Sequence, residues 1–200
     1  MLTKDEGTLI IQYTRAIISS HITKNPLRKP ALPPIFKEKR GVFVTLHTHP
    51  NHQLRGCIGI PYPVMPFEKA LEEAAVGSTH DPRFHPLKEK ELDHVVIEVT
   101  ILTAPSQIIV NQPSELPQQI TIGEDGLIIK YHGRSGLLLP QVPIEQGWDA
   151  EEFLTQLCFK ADLPPDAWFE PNVMIYRFSG QIFTEDSPNG IIREKKLDEI

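Results

Sequence analysis

Seven residues, Leu54-Arg55-Gly56-Cys57-Ile58-Gly59-Ile60, restrict the fold of this chain more than any others. They follow a β-branched run, Val42-Phe43-Val44-Thr45-Leu46, across a short polar link, and Pro61-Tyr62-Pro63 stops them. Strand, turn, strand and stop is the expected order. Alternate side chains of a strand face opposite sides. Leu54, Ile58 and Ile60 are therefore expected on the core, and Arg55, Cys57 and Gly59 on the other face. A strand that only packs a core has no use for a guanidinium, a thiol and a missing side chain there. That face reads as the wall of a cleft.

The rest of the chain mixes helices and strands. Leu9, Ile10, Tyr13, Ala16 and Ile17 recur at helical spacing and predict a helix over 5–21, with Asp5 as its cap. A basic, proline-rich stretch over 24–40 reads as a solvated loop. Phe67, Ala70, Leu71 and Ala74 form one stripe of a helix over 65–77, with Gly77 as its stop. A polar loop, Thr79 to Pro86, leads to a strong strand in 91–102. Gly123-Glu124-Asp125-Gly126 reads as a hairpin turn between Ile120-Thr121-Ile122 and Leu127 to Tyr131, with a second turn at Gly133 to Gly136. Asp149 caps a helix bearing Phe153, Leu154, Leu157 and Cys158 on one stripe. Val173 to Phe183 gives a last strand pair or one long bent strand, and the charged tail has room for a short terminal helix. The pattern lacks regular β-α-β alternation, so the class is α+β with mainly antiparallel pairing. The helix at 65–77 cannot cover the meander and the N-terminal helix at once if a cleft exists, so it is expected to pack on a sheet made from the rest of the chain. This predicts a small inserted lobe at 57–91 and a large lobe from 1–56 plus 92–200.

Composition excludes several functions. The net charge is −6, so bulk electrostatics do not favour nucleic acid or a membrane surface. No apolar run approaches a membrane span, and the first residues lack the order of a secretory signal. The two cysteines, Cys57 and Cys158, have no framework spacing, which points to a reduced, cytoplasmic protein.

Three clusters carry chemistry. Arg55 and Cys57, two residues apart on one strand face, would place a guanidinium beside a thiol and favour the thiolate. Gly56 and Gly59 would leave room for a ligand. His80, Asp81, Arg83 and His85 offer an acid/base pair, a carboxylate and an anion fork. Cys57 with His80 or His85, oriented by Asp81, would follow the order of nucleophile, base and orienter. His47, His49 and His52 invite a metal reading, but neither cysteine completes a zinc site by local spacing, and no metal is expected. Phosphate-loop and Gly-x-Ser-x-Gly patterns are absent. The sequence names no cofactor.

Leu54-Arg55-Gly56-Cys57-Ile58-Gly59 resembles the hallmark of the AMMECR domain family. The likeness continues through Phe43-Val44-Thr45-Leu46, Asp81-Pro82-Arg83-Phe84-His85-Pro86-Leu87 and Ile122-Gly123-Glu124-Asp125-Gly126-Leu127. Leu138-Leu139-Pro140-Gln141-Val142, Gly147-Trp148-Asp149 and Glu152-Phe153-Leu154 complete it. It covers roughly residues 5 to 185 and suggests a prokaryotic, archaeal member. The resemblance implies two unequal lobes with the hallmark near the cleft between them, and both termini in the larger. It implies partners as well, a Memo-type protein and a radical S-adenosylmethionine protein, and it carries no reaction with it. It supports Arg55, Cys57, Asp81 and Arg83 as site residues and lends nothing to the histidines. Two functions are compatible with this. One is a cysteine-dependent enzyme or modification factor acting on a small anionic or carbonyl substrate. The other is a non-catalytic module that binds a ligand or a partner peptide.

Overall fold

The computed structural model describes residues 2–195. In chain order these form α1 (Lys4–Thr23), β1 (Val42–Thr48), β2 (Leu54–Ile60), α2 (Phe67–Ser78), β3 (Val95–Leu102), β4 (Ser106–Gln107), β5 (Gly126–Tyr131) and β6 (Arg134–Leu138). They continue as α3 (Gln141–Gln146), α4 (Ala150–Lys160), β7 (Met174–Phe178), β8 (Gly180–Glu185) and β9 (Ile192–Lys195). Short 3₁₀ turns fill several links. The fold is α+β, with one five-stranded and one four-stranded sheet. No helix among the described residues is long and apolar enough to cross a membrane.

The chain divides into two compact units. Among the described residues one unit contains 2–102 together with 181–195; the other is Thr103–Gly180. Residues 57–91 therefore stay with 1–56. The reason is local: β2 runs unbroken through Cys57, and the apolar stripe of α2 finds its partner in the very sheet that β1 and β2 build.

In the first unit the sheet order is β2-β1-β3-β8-β9, which leaves β2 at an edge. Val42, Val44 and Leu46 of β1 and Val95, Ile97, Val99 and Ile101 of β3 form one fully buried face. This is the two-residue period expected of strands. Across that face lie α1, through Ile10, Ile11, Tyr13, Ile17 and Ile18, and α2, through Phe67, Ala70, Leu71, Ala74 and Ala75. Thr3, not Asp5, caps α1. Its hydroxyl accepts from the Glu6 amide at 3.2 Å while the Glu6 carboxylate accepts from the Thr3 amide at 2.8 Å, a reciprocal box that satisfies two otherwise orphan donors. Gly77 does not stop α2, which continues to Ser78; it lies over Ile58, where a Cβ would stand 3.0 Å from Cγ2. The basic stretch is less solvated than expected. Ile35 and Phe36 are buried, and Lys29 pairs with Glu68 and Glu72 of α2.

In the second unit the order is β4-β7-β5-β6, with Phe153, Leu154, Leu157 and Cys158 of α4 against Leu127, Ile129 and Ile175. Ile120 to Ile122 is not a strand. A 3₁₀ helix, Pro113–Gln119, precedes it, and the amides of Glu124 and Asp125 both close onto the Thr121 carbonyl. The hairpin forms instead between β5 and β6, about His132 and Gly133 at φ 46° and 77°. Gly136 is a paired residue of β6 opposite Ile129. Val173 to Phe183 resolves into two strands that belong to different sheets, β7 and β8. The predicted terminal helix lies outside the described residues beyond Lys195; just before that point Ile192–Lys195 form β9.

Candidate functional site

Cys57 sits on the face of the first sheet opposite the two helices. Its partner across the ladder is Thr45, whose own partner on the far side is Glu98. Paired residues share a face, so thiol, hydroxyl and carboxylate form one cross-strand row. Thr45 Oγ1 lies 3.3 Å from Cys57 Sγ, and Lys195 Nζ of β9 lies 3.2 Å from Glu98 Oε2. Glu98 is the only charge in the apolar strand Val95–Leu102. Nothing about the core requires it, and that isolation was the signal in the sequence that could have marked it. Thr45 and Lys195 left no such trace.

The ladder between β1 and β2 slips at Arg55: Leu46 opposes Gly56, but His47 opposes Leu54. Arg55 is the extra residue of a bulge, and bulges redirect side chains. Its guanidinium consequently turns to Glu91, with Nε to Oε1 at 2.9 Å, and to the His85 carbonyl at 2.9 Å. The same irregularity leaves Leu54 exposed rather than in the core. The cation that bears on the thiol is therefore Arg83, not Arg55.

Asp81 ties the loop after α2 to the strand. Its buried carboxylate accepts from the Cys57 amide at 2.8 Å, from the Arg83 amide at 3.0 Å, and from Arg83 Nε and Nη2 at 3.0 and 2.7 Å. The Arg83 fork and the two amides hold the Asp81 carboxyl far below the usual carboxylate range. Arg83 itself is 57% exposed, with Nη1 outside that pair. The Phe84 ring lies 5.7 Å from the Arg83 guanidinium and 5.9 Å from that of Arg55.

The space a side chain would take at Gly56 and Gly59 is filled by the protein itself. A methyl at Gly56 would overlap the Ser78 carbonyl oxygen, and one at Gly59 the Phe43 ring. Gly56 thus lets the end of α2 approach the edge strand. The histidines do not join the thiol. His80 Nδ1 is 2.7 Å from the Thr79 hydroxyl, and its ring packs on His21 of α1, on the helix side of the sheet. His85 contributes its carbonyl to Arg55. The His49 and His52 rings are 6.2 Å apart, and burial lowers the basicity of His47. Among the described residues no three His, Cys, Asp or Glu side chains converge as a metal site would require.

Burial pushes the Cys57 thiol above its ordinary value. The Thr45 bond and Arg83 oppose this, and Asp81 and Glu98 add to it. At neutral pH the resting group is a protonated thiol, so any chemistry at sulfur needs a base at the moment of reaction.

Comparison with known proteins gives consistent matches. A family model described as AMMECR1 matches residues 11–183. Protein MJ0810 of Methanocaldococcus jannaschii is 54% identical over 98% of both chains. Protein PYRAB00100 of Pyrococcus abyssi is 46% identical over 97% of this chain and 98% of its own. The crystal structure of the uncharacterized protein PH0010 from Pyrococcus horikoshii superposes with a TM-score of 0.82 at 43% identity, covering 98% of each chain. These relatives are archaeal.

Proposed function

Because the chain belongs to the AMMECR1 family, we propose that its hallmark strand carries a thiol-centred site in which Cys57 acts on a small anionic or carbonyl substrate. One observation carries this reading: the half-buried sulfur stands in a row with a hydroxyl and a carboxylate while its backbone is fixed by Asp81. Catalytic groups need this kind of held geometry. Arg83, aligned by Asp81 yet exposed, supplies the contact for an anionic end of the substrate. Arg55 acts at one remove by holding Glu91 and the loop. The partners in this proposal are the Memo-type and radical S-adenosylmethionine proteins, met in the cytoplasm, where both thiols stay reduced.

The protonated thiol favours a second reading, a module that binds without reacting. The two separate on substitution. Small activated carbonyl compounds are incubated with the protein, and adducts are located by mass spectrometry. The thiol-centred reading expects an adduct on Cys57 that turns over and disappears in Cys57→Ser. A binding module expects no turnover, and loss of partner binding in Arg83→Ala with Cys57→Ser unaffected.

A further inference from the structure

A thiol becomes a nucleophile by one of two routes: surroundings that lower its pKa, or a base that takes its proton during attack. Burial removes the first route for Cys57. The carboxylates and imidazoles around the strand narrow the second. Asp81 already accepts four hydrogen bonds, and Glu91 is held by Arg55 and by the Lys88 amide. His80 faces α1. His47 shares the thiol's face and lies near Glu98 and Lys195, but its ladder partners are Leu54 and Val96, which sets it one pair away from Cys57. The carboxylate left on the thiol's own face is Glu98, one strand beyond Thr45. Lys195 holds its Oε2 at 3.2 Å.

We infer that Thr45 and Glu98 form the route by which the Cys57 thiol gives up its proton, with Lys195 positioning the carboxylate, and that the substrate is an acyl donor, an ester or a thioester. The inference rests on the thiol-centred reading above. In the step, Cys57 Sγ bonds to the acyl carbon. The Thr45 hydroxyl, which donates to Sγ in the resting structure, rotates so that the S–H proton passes to Oγ1 as the threonine proton moves to Glu98. Collapse of the adduct breaks the bond to the leaving oxygen or sulfur, and the proton returns along the same path to that leaving group. The products are an acylated Cys57 and a free alcohol or thiol, with no change of oxidation state. Thr45 touches the reacting sulfur; Glu98 and Lys195 act through it.

The test uses p-nitrophenyl acetate with the full chain at neutral pH. Nitrophenolate release gives the rate, and intact mass shows the acetyl group on Cys57. The wild type is expected to acetylate faster than glutathione under the same conditions. Glu98→Gln and Thr45→Val should each slow it about tenfold or more, the lower range of a general-base contribution. Thr45→Ser should retain the wild-type rate. Mere charge acts with the opposite sign: Glu98 pushes the thiol up, so removing it would release thiolate and speed the reaction. A Glu98→Gln rate at or above wild type therefore overturns the relay while leaving the thiol-centred reading intact. So does a loss seen in His47→Gln but not in Glu98→Gln. If the wild type reacts no faster than glutathione, the thiol-centred reading fails and the relay with it. Thermal unfolding of each variant confirms that the fold is kept.

Discussion

Replacing Asp81 with alanine removes a carboxylate that is 2% exposed and accepts four hydrogen bonds of 2.7–3.0 Å. Two of the donors are the backbone amides of Cys57 and Arg83. A buried donor left without a partner costs about 1–3 kcal/mol, with the Arg83 amide, nearer to solvent, at the low end. The Arg83 guanidinium is 57% exposed and turns to water, so its bonds are left out of the sum. Asp81→Ala should then cost about 2–4 kcal/mol, or a fall in Tm of about 5–15 °C for a chain of this size. Urea unfolding and calorimetry measure the global loss, and hydrogen exchange at the Cys57 amide reads the clamp locally. Asp81→Asn adds a check in pH. The folded-state pKa of Asp81 is depressed below its unfolded value of about 3.9, so the carboxylate's contribution is complete above that value. It fades only as the pH falls through the folded value. The gap between wild type and Asp81→Asn should thus hold constant from neutral pH to about pH 5 and close only in stronger acid. A loss under about 0.5 kcal/mol in Asp81→Ala, or a gap already closing between neutral pH and about pH 5, would refute the clamp.

Gly56→Ala forces a methyl into the Ser78 carbonyl and should destabilise by about 3 kcal/mol in urea unfolding, because backbone sits on both sides of the contact; a neutral result would mean that α2 can move away. Arg55→Lys loses the fork on Glu91 and the bond to the His85 carbonyl, and about 1–2 kcal/mol is expected by the same measurement. Thiol labelling of the native protein should modify Cys57 before Cys158, which is fully buried on α4; the reverse order would contradict the placement of both.

Periodicity carried most of the first unit. The stripes of α1 and α2 and the alternation of β1 and β3 are short-range patterns, and short-range patterns are legible in a sequence. The hairpin at Gly123 was not: Ile120-Thr121-Ile122 looks like a strand, but the preceding 3₁₀ turn and the Thr121 carbonyl capture its backbone. The bulge at Arg55 could not be read either, because a register slip depends on which residues the partner strand offers. It moved the guanidinium off the thiol's face and toward Glu91. Asp81 and Arg83 do reach the Cys57 strand, across the intervening helix. The other half of the row, Thr45, Glu98 and Lys195, is assembled from three strands, and only pairing brings them together.

An edge strand presents unpaired amides to any passing chain. β2 is such an edge, and its Cys57 amide is occupied by Asp81. A carboxylate in that position does for the protein what a charged gatekeeper does on other exposed sheets: an incoming strand would have to displace an ion pair before it could dock. Asp81 variants at high concentration should accordingly show more than a lower melting point. Their native state would offer a free strand edge, and dimers or larger β-linked assemblies would form from folded molecules before any unfolding begins.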